Sequence, residues 1–213
     1  MDRKTNDGGE GQQRQREIAE ETARIAAQTG DAYHELLAKG ARYGSKEDTR
    51  RAARAFREAT ALRPDEPEAY FNLGAVLANS GHRVEAAQRF LEAKEREPVG
   101  SEHWAMATAE AFNMLTQEAC AEVTKPEWWN DEGLKALSAR VVRAAPDDLM
   151  PNQMRAIVLC GKCGAWGGMF RSAAELEEAA THFERTAALQ TAPALKAHYA
   201  GCAAQFRSQA DTM

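Results

Sequence analysis

The chain repeats itself at a period of 34 residues. Gly40 falls on Gly74, Ala52 on Ala86, Phe56 on Phe90, Ala59 on Ala93 and Pro64 on Pro98, with no gap. Tyr43 falls on Leu77, another large apolar residue. A fixed period of this size means stacked supersecondary units. The spacing inside each unit is helical. Tyr70, Leu73 and Leu77 lie three and four apart on one helix face, and Ala86, Phe90 and Ala93 do the same on the next. Gly74 and Ala86 remove side-chain bulk, so two helices approach closely, and Tyr70 and Phe90 fill the space beside them. Gly81 suits the turn between the helices, and Pro98 stops the second one. One such hairpin buries only part of its apolar surface, so neighbours must stack on it.

Tyr70, Leu73, Gly74, Leu77, Ala86, Phe90, Ala93 and Pro98 together resemble the tetratricopeptide repeat pattern. The likeness covers residues 33–100 as two copies in register. The first copy departs at Leu36, where an aromatic is usual, and at Lys39, where leucine is usual. The resemblance implies an all-α fold, a right-handed α-solenoid of about four helix-turn-helix hairpins with capping helices at the ends.

The units after Gly100 rest on helix pattern more than on signature residues. Ser101 opens a third unit, with Trp104, Ala107, Thr108 and Ala111 at its pattern positions, and "KPEWWN" at 125–130 is an insert. Asp131 is expected to cap the next helix, whose face holds Leu134, Leu137 and Val141 and which ends before Pro146. A fourth unit begins near Leu149, its first helix reaching Cys163 before "GAWGG". Ser172 and Glu175 spell a capping box. A last helix carries Leu195, Tyr199, Cys202 and Phe206 in one stripe. The expected division is a disordered tail over 1–12 and a single repeat domain over 13–213. Its units are 33–66, 67–100, 101–146 and 147–192, and its C-terminal capping helix is 193–209. A helix over 13–28, with a stripe of Ile18, Thr22 and Ile25, is expected to cap the other end.

Strand signals are nearly absent, and Ala, Glu, Arg and Leu dominate. The 213 residues are 44% hydrophobic with a net charge of −5. A mildly acidic chain does not suit a polyanion, which needs clustered Lys and Arg. The longest apolar run, Ala156–Cys160, is far short of the roughly 20 residues that span a bilayer, and the N-terminus lacks the apolar stretch of a secretory signal. Four cysteines in a chain of this length suit a reducing compartment. A soluble, intracellular and cytoplasmic protein is therefore expected.

Several residue sets carry chemistry. Cys160, Cys163, His198 and Cys202 are a Cys3His zinc candidate if the last helix folds back on the fourth unit. Against it, Cys202 sits in an apolar stripe, where cysteine serves as a small hydrophobe, so no metal or other cofactor is expected. Arg50, Arg54 and Arg57 share a face that reads as solvated, given Glu47, Asp48 and Glu58 nearby; nucleic acid is not the expected partner. Trp128 and Trp129 are adjacent in a loop, one suited to plug the array and the other to anchor an interface. No zinc-protease, nucleophile-elbow, Walker or dinucleotide motif is present, so the chain reads as non-enzymatic.

The resemblance implies a protein-interaction module whose first helices line a concave groove. Residues off the packing stripe are the candidates: His34, Leu37 and Ala41; Phe71, Asn72, Ala75 and Asn79; Ala105, Met106, Ala109 and Asn113. Asparagine pairs with both the N–H and the C=O of a peptide backbone. One subclass of the family clamps the C-terminal carboxylate of chaperone tails with Lys, Arg and Asn. Only Asn72 matches, while Glu68 and Glu102 repel such a tail, so it is not expected to bind. The leading reading is a scaffold or adaptor that takes a partner's peptide or helix in the groove. The competing ones are a structural subunit held through Trp128, Trp129 and the last helix, a zinc-stapled regulatory or RNA-binding module, and an enzyme subunit whose chemistry lies on another chain.

Overall fold

The computed structural model describes residues 30–161 and 171–213, with Glu17, Glu20, Glu21 and Arg24 in helical conformation before them. The expected tail at 1–12, the stripe of Ile18, Thr22 and Ile25, Cys163 and Trp166 lie outside the described residues. Those residues are all-helical, with no strand among them. Nine α-helices follow in chain order: α1 (Ala32–Gly44), α2 (Thr49–Leu62), α3 (Pro67–Asn79), α4 (Arg83–Arg96), α5 (Glu102–Leu115), α6 (Asp131–Ala144), α7 (Leu149–Cys160), α8 (Ala173–Leu189) and α9 (Pro193–Asp211). The chain divides into two compact units, Met1–Arg96 and Glu97–Met213.

In the first unit α1 packs on α2, α2 on α3 and α3 on α4, as stacked hairpins require. The repeated glycine and phenylalanine set the approach of each pair. A Cβ on Gly40 would lie 2.6 Å from the Phe56 ring, and one on Gly74 would lie 2.9 Å from the Phe90 ring. The turns repeat as well. Gly81 has φ 83°, and His82 N–H donates to the Leu77 carbonyl; 34 residues earlier Glu47 has φ 60°, and Asp48 N–H donates to the Tyr43 carbonyl. Both close a helix through a left-handed residue, which favours glycine. Asp48 then caps α2 by accepting from Arg51 N–H. Pro67 opens α3 at a position that has no use for an N–H.

The second unit packs α5 on α6 and on α7, then α7 on α8 and α8 on α9. Ser101 caps α5, and Ser172 with Glu175 completes the expected capping box on α8. Two boundaries differ from expectation. Asn130, not Asp131, caps α6, its side chain accepting from Gly133 N–H. And α7 stops at Cys160, because Gly161 turns left-handed at φ 68°. Between α5 and α6 the ammonium of Lys125 donates to the Leu115 and Cys120 carbonyls and lies over the Trp129 ring. On α9 the buried residues are Ala203, Phe206 and Ala210, with Tyr199 and Cys202 half-buried. Leu195 is exposed rather than in the stripe, since α9 buries only its later turns.

One contact recurs in three hairpins. An arginine from or just past the end of a second helix covers the aromatic ring of the first: Arg63 over Tyr33, Arg96 over Tyr70 and Arg140 over Trp104. Each guanidinium lies over a ring face, where the ring quadrupole attracts it.

Candidate functional site

The first unit contains a cavity of about 150 Å³ between α1 and α3, floored by α2. Leu37, Gly40, Ala41 and Gly44 reach it from α1, Phe56 from α2, and Glu68, Asn72, Ala75, Val76 and Asn79 from α3. Helix geometry explains the grouping. Residues 37, 41 and 44 recur at three and four on α1, as 68, 72, 75 and 79 do on α3. Ser45 and Thr49 complete the described wall, which is mostly apolar, with two amides, two hydroxyls and one carboxylate.

Five of the candidates therefore meet in one place: Leu37, Ala41, Asn72, Ala75 and Asn79. Leu37 is at once a core residue and a wall residue, being almost fully buried. Asn79 is exposed at the rim, in the last position of α3. His34 and Phe71 do not line this cavity. The His34 ring lies 3.1 Å from the Asp31 carboxylate, which also pairs with Arg63. The Phe71 ring meets Phe90 edge-on at 5.4 Å, inside its own hairpin. Tyr33 lies beneath the start of α3. Burial, with Glu68 and Glu66 nearby, pushes its hydroxyl up to about 12.

Met106 and Asn113 belong to α5 in the second unit. Met106 is half-buried, whereas its neighbours Ala105 and Ala109 are core residues packed with Trp104 and Phe112. Burial raises the Glu110 carboxyl, and a hydrogen bond with Asn113 works against that rise. Both Trp128 and Trp129 pack against the same core cluster. The Trp129 ring lies 5.5 Å from Phe112 and 5.7 Å from Trp128. Both are half-buried there. The turn at 126–129 is closed by Trp129 N–H on the Pro126 carbonyl.

The arginine face of α2 is an ion-paired surface. Arg51 pairs with Asp48, Arg54 with Glu58 and Arg57 with Glu85, and Arg50 is exposed. Cys160 is buried and Cys202 half-buried at one core cluster, with Cys202 Sγ 3.8 Å from His198 Nε2. Among the described residues no group of three or more His, Cys, Asp or Glu could hold a metal ion. None of their helices is long and apolar enough to cross a membrane.

Sequence reasoning missed a polar network in the second unit. The Arg155 guanidinium, buried on α7, donates to Glu178 on α8 and to the Lys135 carbonyl and Ser138 hydroxyl on α6. Asn152 donates to the Pro146 and Asp148 carbonyls, so its oxygen accepts from His182 Nδ1 at 2.8 Å, which places the ring proton on that nitrogen. Asp131 pairs with Arg171 and Lys135, and Lys135 also reaches Glu175. The available signal was Asn152 and Arg155, polar residues three apart in a mostly apolar helix.

A family profile described as TPR repeat matches residues 40–81, from the glycine of α1 to the glycine that ends α3. The chain carries a tetratricopeptide repeat. Eighteen solved chains match in three dimensions. One is a crystal structure of the MamA protein, at 14% identity and a TM-score of 0.55, covering 86% of this chain and 88% of that one. At that identity the likeness shows the fold, which is of the same helical-repeat kind. No curated protein matches the chain significantly.

Proposed function

We propose that the chain is a non-enzymatic interaction scaffold, a tetratricopeptide-type adaptor that holds an extended peptide or a helix of a partner protein in the α1–α3 cavity. The observation that carries this is the meeting of Leu37, Asn72 and Asn79 on one apolar wall. An apolar recess with a few convergent polar groups is the usual form of a binding site. The two amides supply donors and acceptors for a peptide backbone, and the repeat type favours a protein ligand over a metabolite. Acidic C-terminal tails are the wrong ligand. Among the described residues the wall offers Glu68 and no lysine or arginine, which suits an acidic tail poorly.

The test is affinity purification with mass spectrometry, comparing wild type with Asn72→Ala/Asn79→Ala and with Trp128→Ala. A partner lost only in the first variant supports the cavity. A partner lost only in the second supports the other reading, a subunit held through the tryptophan loop. Trp128 favours that reading to a degree, since it remains half-exposed.

A further inference from the structure

We infer that His198 and Cys202 of α9 are half of a zinc site, which a second copy of this chain completes. The two side chains stand four residues apart on one helix face, with Cys202 Sγ 3.8 Å from His198 Nε2. A tetrahedral zinc holds an imidazole nitrogen at about 2.1 Å and a thiolate sulfur at about 2.3 Å, which sets the two ligands about 3.6 Å apart. The pair already stands near the spacing of one tetrahedral edge. The His198 ring meets Tyr199 edge-on at 5.3 Å, and Tyr199 stacks on Phe183, which steadies the imidazole. His198 is exposed and Cys202 half-buried, so both donors are reached from solvent. The site lies within the second unit and does not depend on the α1–α3 cavity.

Two donors do not close a zinc site, and among the described residues no third joins them. A two-fold axis supplies the rest, because an isologous contact brings the same pair from both copies. Two imidazoles and two thiolates give zinc its usual four ligands. Each thiol releases its proton on binding, and the two thiolates cancel the metal's charge. The site is then neutral, which suits burial between two protein faces. The surface around the pair suits such a contact as well. Ala194, Leu195, Gly201 and Gln205 share its side of α9, all four exposed and uncharged. Leu195 is 47% exposed, and Gly201 has no side chain to hold a second helix off. The charged residues of α9 stand on its other faces: Lys196, Asp211, and Arg207, which pairs with Glu177 and Glu184 of α8.

The experiment is sedimentation equilibrium of the full chain, stripped of metal with EDTA, kept reduced with a phosphine and titrated with zinc chloride. The chain should be monomeric without zinc, become a dimer as zinc is added, and bind one zinc per two chains. Excess EDTA should reverse this. Cobalt(II) in place of zinc should show the visible bands of a tetrahedral site and a thiolate charge-transfer band. His198→Ala and Cys202→Ser should each stay monomeric and weaken zinc binding by more than about tenfold, since even a residue that only supports a ligand is worth that much. His198 is exposed, so its variant carries the test even if Cys202→Ser, which touches the core cluster, disturbs α9 by circular dichroism. Cys163→Ser should change nothing. One zinc on a monomer, or loss of binding in Cys163→Ser, would mean that the chain closes the site by itself and would overturn the shared one. So would a dimer that forms without zinc and persists in His198→Ala, or a chain that binds no zinc at micromolar concentration.

Discussion

The ring of Phe90 occupies the space that a side chain on Gly74 would need: a Cβ there would lie 2.9 Å from the ring. Phe56 stands in the same relation to Gly40. Gly74→Ala gains about 1 kcal/mol of helix propensity but overpacks a buried ring, which costs about 1–3 kcal/mol. The expected result is a lower melting temperature by circular dichroism, recovered in part by Phe90→Leu. Gly201, in α9, has nothing within 4 Å of its Cβ position. Gly201→Ala should raise stability by about 0.5–1 kcal/mol. Equal effects at the two glycines would show that the ring contact does not set the helix approach.

Glu47 occupies, at φ 60°, the position that Gly81 fills one repeat later. A left-handed conformation costs a residue with a side chain about 1 kcal/mol. Glu47→Gly should raise stability by up to roughly that amount, seen as a higher urea midpoint, and Gly81→Glu should lower it. A midpoint unchanged by Glu47→Gly would mean that the turn is relaxed in solution.

Arg155 joins three helices through one guanidinium. Its replacement by methionine keeps the stem and removes the charge. The Ser138 hydroxyl then loses a donor and the Lys135 carbonyl keeps that hydroxyl but loses the guanidinium, while the half-exposed Glu178 rehydrates. A loss of about 2 kcal/mol in urea denaturation is expected. Glu178→Gln should cost less than about 1 kcal/mol. Similar costs for the two would place the energy in the ion pair rather than in the buried hydrogen bonds.

His182 gives the second unit a pH dependence. Burial lowers its pKa from the usual 6.5; the nearby Glu178 opposes this, and Arg155 and Arg185 add to it. The folded state thus prefers the neutral ring. Stability should be full above about pH 6.5 and decline as pH falls from there toward the depressed folded value. Urea midpoints between pH 8 and pH 5 read this out. His182→Gln, which can still donate to Asn152, should flatten that part of the profile. An unchanged slope in His182→Gln would assign the dependence to another group.

The repeat was legible because its information is local. Small and large residues at fixed spacing announce which helices touch, and Gly40, Phe56, Gly74 and Phe90 are where the spacing said. A cap is less certain by one residue, since Asn130 and Asp131 both suit the role and only the entry angle of the chain decides. Leu195 continues its stripe in sequence, but the first turn of α9 is exposed. That Trp128 and Trp129 pack on one cluster was not legible, since the course of a loop decides where adjacent side chains lie. The Arg155 network was illegible for a different reason. Its partners lie on two other helices, and a polar residue in an apolar helix does not name them.

Lys125 has a consequence for how such a chain can change. Its one ammonium ties the last carbonyl of α5 to the short turn at Cys120, so the ends of the crossing stay put whatever lies between. Doubling a closed segment costs only about 0.6 kcal/mol. The 34-residue rhythm therefore breaks here without the helices losing their places: the tied crossing is a growth point, where residues can be gained or lost while α5 and α6 stay packed together.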